Sequence, residues 1–241
     1  MHSFGLEDMH VSLKIFQAGE IVFEDPNFAT IKENKFLELS SNTCPKIEDN
    51  QNESLVLAQC RRADGEHYFA QEHQLIYESR IGGNRTASLL YDQLPITNST
   101  PKTNSILLLA PKAWLSNHVN TFICFANSNS ALGYRPVKKN CFISFLKQNG
   151  EILHTAKFNL HENDTFILDV KKTLLGLIDG LDDNLQFINI VARVDFAACV
   201  ILTIIQNEKT GALALEHSLS PHYYMDGDFS KVRREAFIFT K

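Results

Sequence analysis

Two glutamate–histidine pairs are the residues of this chain most able to do chemistry. Glu72-His73 and Glu216-His217 lie far apart in the sequence, and His222 closely follows the second pair. Imidazole nitrogens and carboxylate oxygens are ligands that zinc, iron and manganese accept. If the two regions meet in the fold, these five residues could hold a divalent metal at the centre of a metal-dependent enzyme.

Strand geometry limits this metal hypothesis. In the stretch GALALEHSLSPHYYMDGD, apolar residues alternate up to His217, which is typical of a strand. Neighbours on a regular strand point to opposite faces, so Glu216 and His217 can reach one ion only at a bulge. His217 shares its face with Leu213 and Leu215, and a histidine in an apolar row is usually a neutral core residue. The metal ligand and the core histidine remain alternative interpretations.

A second candidate site is a binding surface carried by loops. His222 follows Pro221 where the strand is predicted to end, and Tyr223 and Tyr224 follow in a turn-rich segment. Such strand-end loops commonly carry binding residues. Trp114, in APKAWLSNH, is predicted to lie between two strands, either as a contact residue or as a lid over the core. We therefore predict that His222, Tyr223, Tyr224 and Trp114 bind a ligand.

Motifs of the common enzyme classes are absent from the sequence, so no catalytic residue is predicted. It contains no GxSxG nucleophile elbow, GxxxxGK[ST] phosphate loop, GxGxxG fingerprint or HExxH helix. The net charge is −5 and the densest basic runs are pairs, so a nucleic-acid partner is not expected.

The predicted compartment is the cytoplasm. The N-terminus lacks the features of a secretory signal, and the most apolar stretch, residues 190–205, contains Arg193 and Asp195. Five cysteines without CxxC spacing suggest reduced thiols rather than a disulfide framework. We expect a soluble protein without a membrane span.

Period-two patterns predict an all-β fold. KKNCFISFL (138–146) and TFILDV (165–170) have the alternation or short apolar runs of strands, bounded by turn residues such as Asn149-Gly150. The best helix candidate is KKTLLGLI (171–178), and Gly176 weakens it.

An internal repeat predicts how these strands are organised. Residues 11–39 resemble residues 142–170, with Gln17, Gly19 and Glu20 matching positions 131 residues later. Further on, residues 60–77 and 205–223 are each predicted to form a long strand that ends in the glutamate–histidine pair. We interpret the pattern as an internal duplication.

The duplication predicts two tandem antiparallel β-sandwich modules, residues 1–100 and 101–241, joined by the polar segment 96–104. The first module lacks equivalents of the strands at 105–111 and 121–127, so one of its edges needs a cover. We predict that a C-terminal strand at 232–240 packs on the first module and closes the unit.

Four segments in the second half carry a resemblance to a known family. In order they are TFICFANSNS, FISFLKQNGEIL, FNLHENDTFILDV and VILTIIQNEKTGALALEHS. This order is similar to that of the small all-β domain of sensory rhodopsin transducer proteins, over about half of the chain. The resemblance implies a compact sandwich that oligomerises and binds a partner or small ligand without catalysis, and it carries over no functional residue.

Together these observations predict a non-catalytic binding or assembly module, a homo-oligomer whose protein or small-molecule ligand contacts loops at one end of the sandwiches. It would need no cofactor. The alternative is the metal-dependent enzyme, with its histidine and glutamate centre at the module interface.

Overall fold

A computed structural model describes residues 8–33, 35–40, 42–44, 54–62, 67–68, 73–79, 81, 85–91, 106–109, 111–127, 137–178, 180–195, 199–217 and 223–225. Within them the chain forms sixteen β-strands and a single helical turn, which confirms the all-β class. The strands are β1 Met9–Gln17, β2 Glu20–Ile31, β3 Leu55–Arg62, β4 His67–Tyr68, β5 His73–Ser79, β6 Arg85–Tyr91, β7 Ile106–Leu109, β8 Lys112–Leu115, β9 Val119–Ala126, β10 Lys139–Leu146, β11 Ile152–Leu160, β12 Thr165–Asp169, β13 Gln186–Asp195, β14 Val200–Asn207, β15 Leu213–His217 and β16 Tyr223–Met225, and the helical turn is α1 Val170–Thr173.

The strands form three larger sheets and one separate hairpin, and every pairing is antiparallel. The first sheet has the order β2-β1-β3-β4, and β5 and β6 form the hairpin. The second sheet has the order β11-β10-β13-β7-β16, with β8 also paired to β13. The third has the order β12-β9-β14-β15.

The second and third sheets form a sandwich around one core. Ile143, Phe145 and Val194 from the second sheet pack in one cluster with Phe125 and Ile201 from the third, and all are at most 2% exposed. The alternation along each strand places these side chains on the facing surfaces of the two sheets.

β7 and β8 lie along β13 in one unbroken register. Leu109 pairs with Ala192, and Lys112 pairs with Asn189, so the spacing is three residues on both strands. Pro111 lies in the gap between β7 and β8, where its missing N–H cannot contribute a ladder bond.

Besides the β5–β6 hairpin, the described strands of the first half form one sheet, in which β1 pairs with β2 and β3. Its inward face carries Met9, Val11, Leu13 and Ile15, each at most 4% exposed. The segment that follows β2 covers part of this face through Leu37, Leu39 and Cys44. A second sheet facing this one, and the module boundary at residue 100, stay predictions.

The two predicted repeats share a hairpin but differ in detail. The turns of the two hairpins differ in length. β1 and β2 are joined by only Ala18 and Gly19, both with positive φ. β10 and β11 are joined by residues 147–151, and the Lys147 N–H donates to Glu151 O over 2.9 Å. Residues 37–39 form no strand, although their counterparts at 168–169 lie in β12. The duplication stays a prediction.

Both long strands predicted from the repeat were wrong. The strand predicted over 60–77 is divided, because β3 ends at Arg62 and β5 begins at His73. The strand predicted over 205–223 is divided as well, because β14 ends at Asn207 and β15 begins at Leu213. The helix candidate at 171–178 overlaps the single turn α1, and Gly176 follows with a φ of +81°. No helix within the described residues has the length and apolarity to cross a bilayer.

The β5–β6 hairpin joins the two halves of the chain. It packs against β15, and the Gln206 side-chain amide donates to the Ser79 hydroxyl over 3.3 Å. The predicted linker at 96–104 and the predicted C-terminal strand at 232–240 lie outside the described residues.

Lys139 is buried in the sandwich at the start of β10, and we expect it to make stability depend on pH. Burial lowers the pKa of its amine to about 8, against the weaker opposite effect of Cys199 and Cys141. The unfolded chain therefore holds a proton that the folded chain lacks between about pH 8 and pH 10.5, so this group's contribution to stability rises across that window.

Lys139→Met should remove this dependence. We expect the wild-type chain to gain about 2–3 kcal/mol relative to the variant between pH 7.5 and pH 10.5. Urea unfolding of both proteins across that range measures it. The comparison cancels the opposite trend from Cys199, whose thiol pKa burial raises to about 12. Parallel pH profiles for the two proteins would contradict the prediction.

Candidate functional site

An asparagine lies near each end of β9, and both are buried. Asn120 is 2% exposed, and Asn127, just after the strand, is fully buried. The Asn127 side-chain amide donates to Val137 O over 2.8 Å and to His161 O over 2.6 Å. Each asparagine therefore connects β9 to the loops at its own end of the sandwich.

Asn120 uses all four hydrogen bonds that an asparagine side chain can make. Its amide nitrogen donates to Asp169 Oδ1 over 3.0 Å and to Glu208 Oε1 over 3.5 Å. Its amide oxygen accepts from the backbone N–H of Thr121 at 2.7 Å and of Lys171 at 3.2 Å. A buried and fully satisfied polar group of this kind favours one arrangement of its neighbours.

The loops around Asn120 are also bonded to one another. Lys171 Nζ donates to Asn117 O over 2.8 Å and forms an ion pair with Glu208 Oε2 at 2.7 Å. The backbone N–H of Glu208 donates to His118 O, and that of Asn117 donates to Asp182 O. We call these three connected loops, residues 116–118, 170–185 and 208–212, the loop end.

The longest loop of the loop end exposes three leucines. Leu175 is 79% exposed, Leu185 is 53% exposed and Leu177 is 46% exposed. Leu174 and Ile178, from the same connection between β12 and β13, pack into or against the core. Leu174 and Ile178 therefore hold the connection to the core, while its other three leucines are exposed to solvent.

The loop end also carries a group of bonded polar residues. His118 Nε2 is 3.5 Å from Asp183 Oδ1, which also accepts from the Asn117 side-chain amide at 3.3 Å. The Ser116 hydroxyl accepts from the backbone N–H groups of His118 and Val119, so it supports the loop. Exposed apolar side chains together with polar groups are the composition of a protein-binding surface.

Trp114 lies inside β8, so the prediction that it falls between two strands was wrong. Its backbone N–H and C=O both bond to the Thr121 hydroxyl, at 2.9 Å each. Ala113 and Leu115 are fully buried, whereas the half-buried Trp114 ring lies 5.0 Å from the ring of Phe187 on the opposite face. Trp114 is nevertheless two residues from the loop end.

Two of the other predicted ligand-binding residues, the tyrosines, lie in a different strand from Trp114. Tyr223 and Tyr224 lie in β16 and pair with Leu108 and Leu107 of β7. Their side chains and His222 lie outside the described residues. Trp114 in β8 and the two tyrosines in β16 thus belong to the same sheet, and the role of these residues and of His222 in binding stays a prediction.

The five predicted metal ligands are only partly described. His73 is the first residue of β5, and His217 is the last residue of β15. Each histidine therefore lies at the end of its strand that is far from the hydrogen bond between Ser79 and Gln206. Glu216 is exposed. Glu72 and His222 lie outside the described residues, within which no three histidine, cysteine or acidic side chains are grouped for a metal. The metal centre stays a prediction.

The residues that organise the loop end were missed in the sequence. Asn120 and Asn127 enclose the apolar run TFICFA, and this pattern of an amide at each end of an apolar strand was the available signal. The exposure of Leu175 had no such signal, because LLGLI reads as a helix or a core segment.

Comparisons with known proteins give no family. No family model matches the chain, and no curated protein sequence matches it. The crystal structure of Thermotoga maritima 1070 is similar over 51% of this chain and 96% of that chain, at 14% identity with a TM-score of 0.35. Infectious bursal virus derived T=1 particles match over 96% of this chain and 66% of that chain, at 10% identity with a TM-score of 0.12. These TM-scores are too low to support a statement about fold or function.

Proposed function

We propose that the chain is a non-catalytic binding or assembly module that contacts a protein partner through the loop end. The observation that carries this proposal is the set of exposed leucines, Leu175, Leu177 and Leu185, on a connection held by the buried Asn120. Long connections between strands in compact domains are commonly functional. The resemblance to sensory rhodopsin transducer proteins implies the same kind of activity.

The rigidity of the loop end supports binding in particular. A partner that docks on fixed loops orders few side chains, so less binding free energy is lost to entropy. Apolar side chains at the centre of such a surface supply most of the affinity, and the polar surround gives orientation. His118 and Asp183 would serve in that surround.

The double variant Leu175→Ser/Leu177→Ser tests this proposal. Both side chains are exposed, so we expect its free energy of unfolding to stay within about 0.5 kcal/mol of wild type. Tagged wild-type and variant chains are used to capture proteins from a lysate of the source cells. We expect at least one protein, an untagged copy of this chain included, to be recovered with wild type and lost with the variant.

Ile152→Ser is the matched control, because Ile152 is 40% exposed and lies beside the β10–β11 turn, outside the loop end. It should capture the same proteins as wild type. Recovery of one common set by all three chains would contradict the proposal, as would recovery of nothing above an empty support.

A further inference from the structure

We infer that Asn149 is a site of spontaneous covalent modification, at which the chain converts an asparagine into aspartate and isoaspartate. Asn149 lies in the exposed turn between β10 and β11 and is followed by Gly150. It is the only asparagine of the sequence that a glycine follows. This inference is independent of the proposed function.

The reaction needs no other protein and no oxidant. The backbone nitrogen of Gly150 attacks Cγ of Asn149, so an N–Cγ bond forms and the Cγ–Nδ2 bond breaks. Ammonia leaves with the proton of the Gly150 N–H. Water then opens the five-membered succinimide at one of its two carbonyls, which yields aspartate or isoaspartate.

Two features of the turn favour the attack. Gly150 has no side chain, and apart from its two chain neighbours no atom lies within 4 Å of the position that a Cβ would occupy, so the residue is not crowded on that side. The backbone N–H of Glu151 donates to Asn149 Oδ1 over 3.0 Å. This hydrogen bond polarises the Cγ–O bond and stabilises the negative charge that develops on the oxygen during the attack.

One hydrogen bond opposes the reaction and must break before the attack. The Gly150 N–H donates to Lys147 O over 2.9 Å, so the turn must open before the nitrogen can turn toward Cγ. Exposed turns open at little cost in free energy. The reaction should therefore proceed in the folded protein, and more slowly than in the unfolded chain.

The product changes the turn in two ways. Either product places a new negative charge in the turn closed by the Lys147–Glu151 ion pair, whose atoms are 3.0 Å apart. Isoaspartate also adds one backbone atom between residues 147 and 151. The Lys147 N–H to Glu151 O bond, at 2.9 Å, depends on the present number of atoms and should lengthen.

Peptide mapping by mass spectrometry tests the inference. The folded chain is kept at pH 8 and 37 °C for days and then digested. We expect a gain of about 1 Da, the replacement of an amide NH₂ by OH, in the peptide that contains Asn149 before any other described asparagine. Two controls are Asn149→Ser, which should lose the shift, and Gly150→Ala, whose added methyl group should slow its appearance.

The outcomes separate cleanly. A shift at Asn149 that is faster in urea and slower in Gly150→Ala supports the inference. A peptide that keeps its mass while another described asparagine is modified would overturn it. So would an equal rate in wild type and Gly150→Ala when both are unfolded in urea, where the strain that alanine puts on the folded turn is absent, because the nitrogen of residue 150 would then not be the attacking group.

Discussion

Gly211→Ala is expected to lower the free energy of unfolding by about 2–4 kcal/mol and Tm by about 5–15 °C. Gly211 has a φ of +74°, a conformation that costs little only for glycine. A Cβ there would overlap the backbone oxygen of Ile81 and lie 3.0 Å from the Ser79 hydroxyl. Because the nearest obstacle is backbone, the β5–β6 hairpin must move away from β15.

Gly150→Ala separates the two causes of this loss. Gly150 has nearly the same φ, +86°, but nothing within 4 Å of its Cβ position. Its substitution should cost only about 1 kcal/mol, the backbone strain alone. Thermal unfolding measures both variants, and amide hydrogen exchange shows whether β5 and β6 lose protection in Gly211→Ala. Equal losses of stability would show that the contact with Ile81 contributes nothing.

Asn120→Ala is expected to cost about 2–4 kcal/mol, because it removes four hydrogen bonds from a buried position. Asp169 and Glu208 would lose their shared donor, and the backbone N–H groups of Thr121 and Lys171 would lose an acceptor. Urea unfolding measures the loss. Partner capture through the loop end should fall with it, since three loops depend on this side chain.

Two further variants identify the cause of this effect. Asn184→Ala removes an exposed side-chain amide that donates to Asp182 Oδ2 in its own loop and keeps the backbone N–H bond to Asp182 Oδ1, so it should change stability by at most about 0.5 kcal/mol. Asn120→Asp keeps the shape but replaces the donor with a carboxylate facing Asp169 and Glu208, so it should be at least as destabilising as alanine. Wild-type stability in Asn120→Asp would contradict the proposed hydrogen-bond network.

The fold class was predictable because strand patterning is local. Alternation in KKNCFISFL places Cys141, Ile143 and Phe145 inside, and the structure buries all three. The helix candidate at 171–178 forms only one turn, which the Asp169 side chain caps at its start and which ends before Gly176, where φ is positive. Such limits depend on a few local contacts that periodicity does not record.

The candidate site was less predictable because its residues meet through tertiary contacts. Asn120 bonds to Asp169, which is 49 residues away in the sequence, and to Glu208, which is 88 residues away. No spacing rule links them. Trp114 was misplaced for a related reason: β8 is only four residues long, and its partner is the distant β13.

The register shared by β7 and β8 makes this part of the chain sensitive to length rather than to composition. Leu109 and Lys112 keep the same spacing as their partners Ala192 and Asn189 on β13. One inserted residue between them would shift β8 by one position and reverse its faces. Ala113 would turn outward, and Trp114 would face the core where the fully buried side chain is now an alanine. The gap at Pro111 therefore accommodates a missing hydrogen bond but not an extra residue.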